Sequence, residues 1–197
     1  MSAMHKFSLA VAFSIACSSP TPAGPTTPSP NPTAAQPAAP SPSGPTSCEP
    51  ENPESPNLAM QAERIGGLKL GATSDEVVAL FGEPEAVTGP EDNAVEGGVN
   101  WTWSYAAKGL SVELGAEDEN AAKSVGGISI SAGSDLKTRF GIGIGAPLAD
   151  VKRAYGPCLD PDSGGNSYIA GSVYGGVIFS IADDQTVESI FVGAAAE

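Results

Sequence analysis

From residue 65 onward, apolar and polar positions alternate in short runs that follow two different periods. In Trp101-Thr102-Trp103-Ser104-Tyr105 and in Leu110-Ser111-Val112-Glu113-Leu114 every second residue is apolar. That period of two belongs to a strand with one buried face. The run 176–181 (GVIFSI) and the shorter Ile128–Ile130 and Ile190–Val192 read as strands too. Two segments carry helical spacing instead. Val77, Leu80 and Phe81 share one helix face, which Thr73 and Glu76 open as a capping box and Gly82 with Pro84 closes. In the second, Leu148, Val151 and Tyr155 line one face, Pro147 suits the first helical position and Gly156-Pro157 ends the helix.

The two helical segments also resemble each other. Residues 68–84 (LKLGATSDEVVALFGEP) align with 142–158 (IGIGAPLADVKRAYGPC) at an offset of 74. Leu70, Gly71, Ala72, Glu76, Val77, Phe81 and Gly82 then meet Ile144, Gly145, Ala146, Asp150, Val151, Tyr155 and Gly156. Residues 109–114 match 176–181 at an offset of 67, and Ile128–Ile130 match Ile190–Val192 at 62. Such self-similarity is the mark of a structural unit used twice. The predicted fold class is therefore α+β. A short helix with an antiparallel meander forms each unit, over residues 65–132 and again over 139–193, inside a domain of residues 58–197.

A helix entered through Gly and acidic-Val, closed by an aromatic and Gly-x-Pro, and followed by Trp-x-Tyr resembles the SmpA/OmlA (BamE-type) envelope lipoprotein domain. Its doubling is similar to the fold of the β-lactamase-inhibitor proteins. The resemblance covers about residues 65–193 and rests on structural motifs. It implies a non-enzymatic module that binds other envelope proteins, in outer-membrane assembly or maintenance. The alternative it implies is a secreted or anchored inhibitor of an envelope or extracellular hydrolase. Both are analogies at the level of the fold.

Composition divides the chain. Of its 18 prolines, 13 fall between Pro20 and Pro56. Residues 1–17 have the layout of a secretory signal: Lys6, an apolar stretch from Phe7 to Ala16, then Cys17. Ser14-Ile15-Ala16 before Cys17 resembles a bacterial lipobox, which implies lipid on Cys17 and anchoring in the cell envelope, at the outer membrane. An ordinary signal cut after Ala16 or Ala12 is the other reading. Residues 18–57 have too few large apolar side chains to offset chain entropy, so they read as a disordered, polyproline-biased tether or a glycosylated stalk. In an exported chain Cys48 and Cys158 are either a disulfide or two free thiols.

Charge and chemistry narrow the function further. The net charge is −14, and residues 58–197 hold 20 acidic and 8 basic residues. This disfavours nucleic acid and makes the lipid the sole expected membrane contact. The single histidine, His5, lies in the signal-like segment. No base is then on hand for Cys158, and no nucleophile motif occurs. Gly141-Ile-Gly143-Ile-Gly145 lacks the strand-helix-strand context of a nucleotide turn, and the Asp160–Asn166 loop has Gly171 where a calcium loop needs its last carboxylate. No enzyme activity, cofactor or metal is expected. Partner-surface candidates remain. Trp101, Trp103 and Tyr105 are either core or an exposed stripe. Ile178 and Phe191 replace Ser111 and Ser129 of the first unit, so they serve either packing between units or a partner.

Overall fold

In a computed structural model the described residues are 62–93 and 97–194. Cys17, Cys48, the signal and the tether lie outside them. The elements in chain order are α1 (Ser74–Phe81), β1 (Ala86–Asp92), β2 (Val99–Tyr105), β3 (Leu110–Ala116), β4 (Ser124–Ile130), α2 (Leu148–Tyr155), β5 (Ser167–Ser172), β6 (Gly175–Ile181) and β7 (Val187–Gly193). All strands join one antiparallel sheet in the order β1-β2-β3-β4-β7-β6-β5.

This corrects the α+β expectation. The described residues are predominantly β: seven strands form one sheet, and the α-helices among them are two short segments of eight residues each. Helix α1 buries only Val77 fully, so strand side chains supply most of the core. The meanders do not stack as separate layers. β4 and β7, each the last strand of its half, pair edge to edge and leave neither edge open.

The local signals behave as the residues require. Thr73 Oγ1 accepts from the Glu76 N–H at 3.3 Å while the Glu76 carboxylate accepts from the Thr73 N–H at 2.8 Å, completing the capping box. Gly82 stops α1 at a φ of 85°, a conformation that a side chain would strain. Pro147 sits at the N-cap of α2, one residue earlier than its preference for the first helical position suggests.

Hydrogen bonds recur at the offsets seen in the sequence. Gly71 N–H donates to Val125 O at 2.7 Å, and Gly145 N–H to Val187 O at 2.8 Å. Val125 N–H donates to Ala72 O, and Val187 N–H to Ala146 O. The register slips between Glu113 and Leu114 in β3 and between Ser180 and Ile181 in β6, positions 67 apart. Where β4 meets β7, Ser129 lies opposite Phe191, its own counterpart, flanked by Ile128 with Val192 and Ile130 with Ile190. A local two-fold therefore passes between Ser129 and Phe191, an isologous contact within one chain.

Candidate functional site

The sheet has two unlike faces. On one, the cross-strand row Tyr105, Leu110, Ile130, Ile190, Phe179, Tyr168 runs beside Trp103, Val112, Ile128, Val192, Val177, Ala170. Both helices pack here. Tyr155 of α2 meets Phe179 with ring centroids 4.9 Å apart, and Phe81 of α1 meets Tyr105 at 5.9 Å. The Tyr105 hydroxyl also donates to Gly82 O at 3.0 Å, tying the end of α1 to β2.

The opposite face carries the row Ser104, Ser111, Ser129, Phe191, Ile178, Ile169. Half is hydroxyl-bearing and half apolar, and the change falls at the two-fold. Phe191, Ile178 and Ile169 stand apart from the core cluster, and each is half-buried. The next row reads Thr102, Glu113, Gly127, Gly193, Gly176, Gly171. Four adjacent strands thus present glycine, leaving a floor of bare backbone. The Phe191 ring lies over this floor. A Cβ on Gly193 would come within 2.8 Å of its Cζ, and one on Gly127 within 3.2 Å of its Cε2 and 2.7 Å of Glu113 Oε2. Side chains at either glycine would lift the ring, so glycine decides its pose.

Beside this stripe lies an open cleft of about 1030 Å³, with Asn100, Glu113, Glu117, Ser124, Gly126 and Tyr174 among its lining. Tyr174, in the β5–β6 turn, is 74% exposed. Charge is segregated around it. The seven strands contain no Lys or Arg, and their charged residues are Glu91, Asp92, Glu113 and Glu188. Cations gather on the helix-bearing side. Lys123 lies over Trp101 at 4.2 Å, Arg139 over Phe140 at 4.6 Å and Lys152 over Tyr168 at 5.1 Å.

One buried carboxylate belongs to neither surface. Glu63 is 1% exposed although it precedes every regular element among the described residues. Its Oε1 accepts from the N–H groups of Arg64 at 2.9 Å and Arg139 at 2.8 Å, and its Oε2 from the Tyr155 hydroxyl at 2.9 Å. The start of the domain is thereby clamped to α2. Three residues past Tyr155, Cys158 is disulfide-bonded. Cys48, the partner offered by the sequence, lies outside the described residues.

Burial raises the Glu63 carboxyl above its ordinary 4.5, outweighing the Arg64, Arg139 and Tyr155 hydrogen bonds and the Arg139 charge that lower it. Burial first, then the Glu63 charge, raises the Tyr155 hydroxyl as well. A carboxyl raised in the folded state binds its proton more tightly folded than unfolded. Its contribution to stability is complete below the ordinary value and is lost as pH rises through the folded value. Urea midpoints of the native protein should therefore fall, relative to Glu63→Gln, as pH rises from about 4 toward 7. Parallel curves across that range would refute the burial argument.

The remaining sequence candidates separate by face. Trp101 and Tyr105 are buried and Trp103 packs against the core, all on the helix-bearing side, so of the two readings these residues take the core one and not the exposed stripe. Ile178 and Phe191 come together as cross-strand neighbours on the open face. Phe191 reaches across the seam onto Gly127 of the first half, so contact between the halves takes up part of its ring, while Phe191 and Ile178 both stay half-buried. Asp160 Oδ1 accepts from the Asp162 N–H at 2.9 Å, so that loop is a local turn. Among the described residues no three His, Cys, Asp or Glu are placed to hold a metal. Periodicity did not single out Ile169 or the glycine row, because their meaning depends on which strands adjoin. Comparison with protein-family models, with curated proteins and with solved structures finds no match.

Proposed function

We propose that this is a non-enzymatic, lipid-anchored module of the bacterial envelope whose open sheet face binds another envelope protein. The observation that carries the reading is the stripe Phe191–Ile178–Ile169, apolar and uncovered by either helix. Isolated exposed apolar residues are ordinary, whereas a contiguous stripe on an otherwise polar sheet face favours a partner. The lipid on Cys17, the tether and the BamE-type likeness supply the envelope setting and rest on the sequence alone.

Glu63 fastens the start of the described residues to Tyr155 of α2, on the helix-bearing side of the sheet, and leaves the opposite face open.

The test is photo-crosslinking in cells from position 178 on the open face and from position 152 on α2. Position 178 should capture a discrete envelope protein, and position 152 should not. Ile178→Ser with Phe191→Ser should abolish capture while costing roughly 1 kcal/mol per site, since both side chains are only half-buried. Gly127→Ala should weaken capture by tilting the Phe191 ring, with a stability change below about 1 kcal/mol. Lowered stability with capture unchanged would overturn the reading. Capture of a hydrolase that the purified protein inhibits would select the inhibitor version of the same surface.

A further inference from the structure

We propose that the surface docked on the open face presents an arginine or lysine next to an apolar side chain, the cation entering the cleft at Glu113 and Glu117. The inference rests on the protein-docking reading and specifies its partner by charge. Both carboxylates line the cleft, and among the described residues no Lys or Arg does. The strands hold no basic residue that would neutralise them from within the sheet. Uncompensated negative charge in a concavity concentrates field lines there and favours a cationic group.

The apolar half of the match is fixed by contiguity. Glu113 shares a cross-strand row with Gly127, and the Glu113 carboxylate and the Phe191 ring both lie over that glycine. A cation at Glu113 therefore sits one side chain away from the Phe191–Ile178–Ile169 stripe. Bare backbone at Gly171, half-buried and two residues along β5 from Ile169, lets the partner's apolar group approach closely. An acidic surface is rejected at the same place by like charge.

Full-length protein titrated with blocked peptides provides the test, read as backbone amide shifts of Gly115, Gly126, Gly127 and Gly193. Acetyl-Leu-Phe-Arg-amide should give saturable shifts at these glycines, and they should weaken as salt is raised. Glu113→Gln with Glu117→Gln should lower its affinity roughly tenfold, the scale of a close charge pair at an interface. Acetyl-Leu-Phe-Glu-amide and acetyl-Ser-Ser-Arg-amide should bind at least about tenfold more weakly, the first lacking the cation and the second the apolar group. Equal binding of the acidic peptide would overturn the charge inference and leave protein docking standing. Equal binding of the serine peptide would overturn the apolar half. Shifts confined to helix-side residues, or none, would overturn the inference, and crosslinking from position 178 then decides separately whether a protein docks there.

Discussion

Glu63→Ala is expected to destabilise the domain by about 3 kcal/mol at neutral pH, read as a shift of the urea unfolding midpoint. Removal of the carboxylate leaves the N–H groups of Arg64 and Arg139 and the Tyr155 hydroxyl without their acceptor. One opposing effect acts. The charge is buried at a cost, as the raised carboxyl shows, and its removal relieves that cost. Loss of the acceptor wins, because three donors depend on one group and two of them sit on segments far away in sequence. The clamp also holds the stretch bearing Ile65 and Leu68, both buried, so their packing loosens with it. Glu63→Gln keeps an acceptor and should cost less than about 1 kcal/mol at the same pH. An alanine variant as stable as the glutamine variant would show that the network does not fasten the domain's start.

Phe179→Ala should cost about 3–5 kcal/mol, and Phe191→Ala no more than about 1.5 kcal/mol. The two phenylalanines lie on neighbouring central strands and are chemically identical, so the contrast isolates the face. Phe179 is fully buried and touches Tyr155 beneath the helices. Its truncation leaves a cavity that the sheet and α2 cannot close without bending. Phe191 points the other way and rests on glycine backbone, where truncation exposes surface already half open to water. Paired denaturation curves decide the matter. Comparable losses for both variants would mean that something covers the open face, and the docking reading would fail with it.

Much of the local structure is readable from spacing. Thr73 with Glu76 and Gly82 with Pro84 specify α1 through short-range hydrogen bonds and backbone preference, which depend on few distant contacts. β2, β3 and β6 are legible because alternation with period two reports one buried face. β1 escapes that logic. Its residues AVTGPED are all exposed, it lies at the sheet edge, and its register breaks between Thr88 and Glu91. β5 escapes for a related reason, being a six-residue edge strand with glycine and serine where alternation would show. The α+β reading gives too much weight to two short helices with well-marked ends, because strong local signals need not mark the larger part of a fold.

The functional candidates divide along the same line. Alternation grouped Trp101, Trp103 and Tyr105 on one side of β2, but it does not say which side the helices cover. Comparison of the two halves singled out Ile178 and Phe191 as apolar where serine stands, and the structure joins Ile169 to them. Nothing in the polar run around Glu63 marks it as buried, since its three donors come from Arg64 next to it and from Arg139 and Tyr155, more than 70 residues away.

By itself the sequence determined the helix ends, the alternating strands, the self-similarity at offsets of 74, 67 and 62, and the acidic, base-poor strands. These depend on neighbours within a few residues or on composition. Only the tertiary structure decided that β4 and β7 adjoin, so that one sheet spans both halves. It also decided that four glycines align in one cross-strand row with Gly127 and Gly193 under the Phe191 ring, that the tryptophans face inward, and that Glu63 is locked beneath α2. The reason is physical. Strand pairing and burial are set by backbone groups and surfaces brought together across long loops, and free energy for such contacts exists only once the whole sheet has closed.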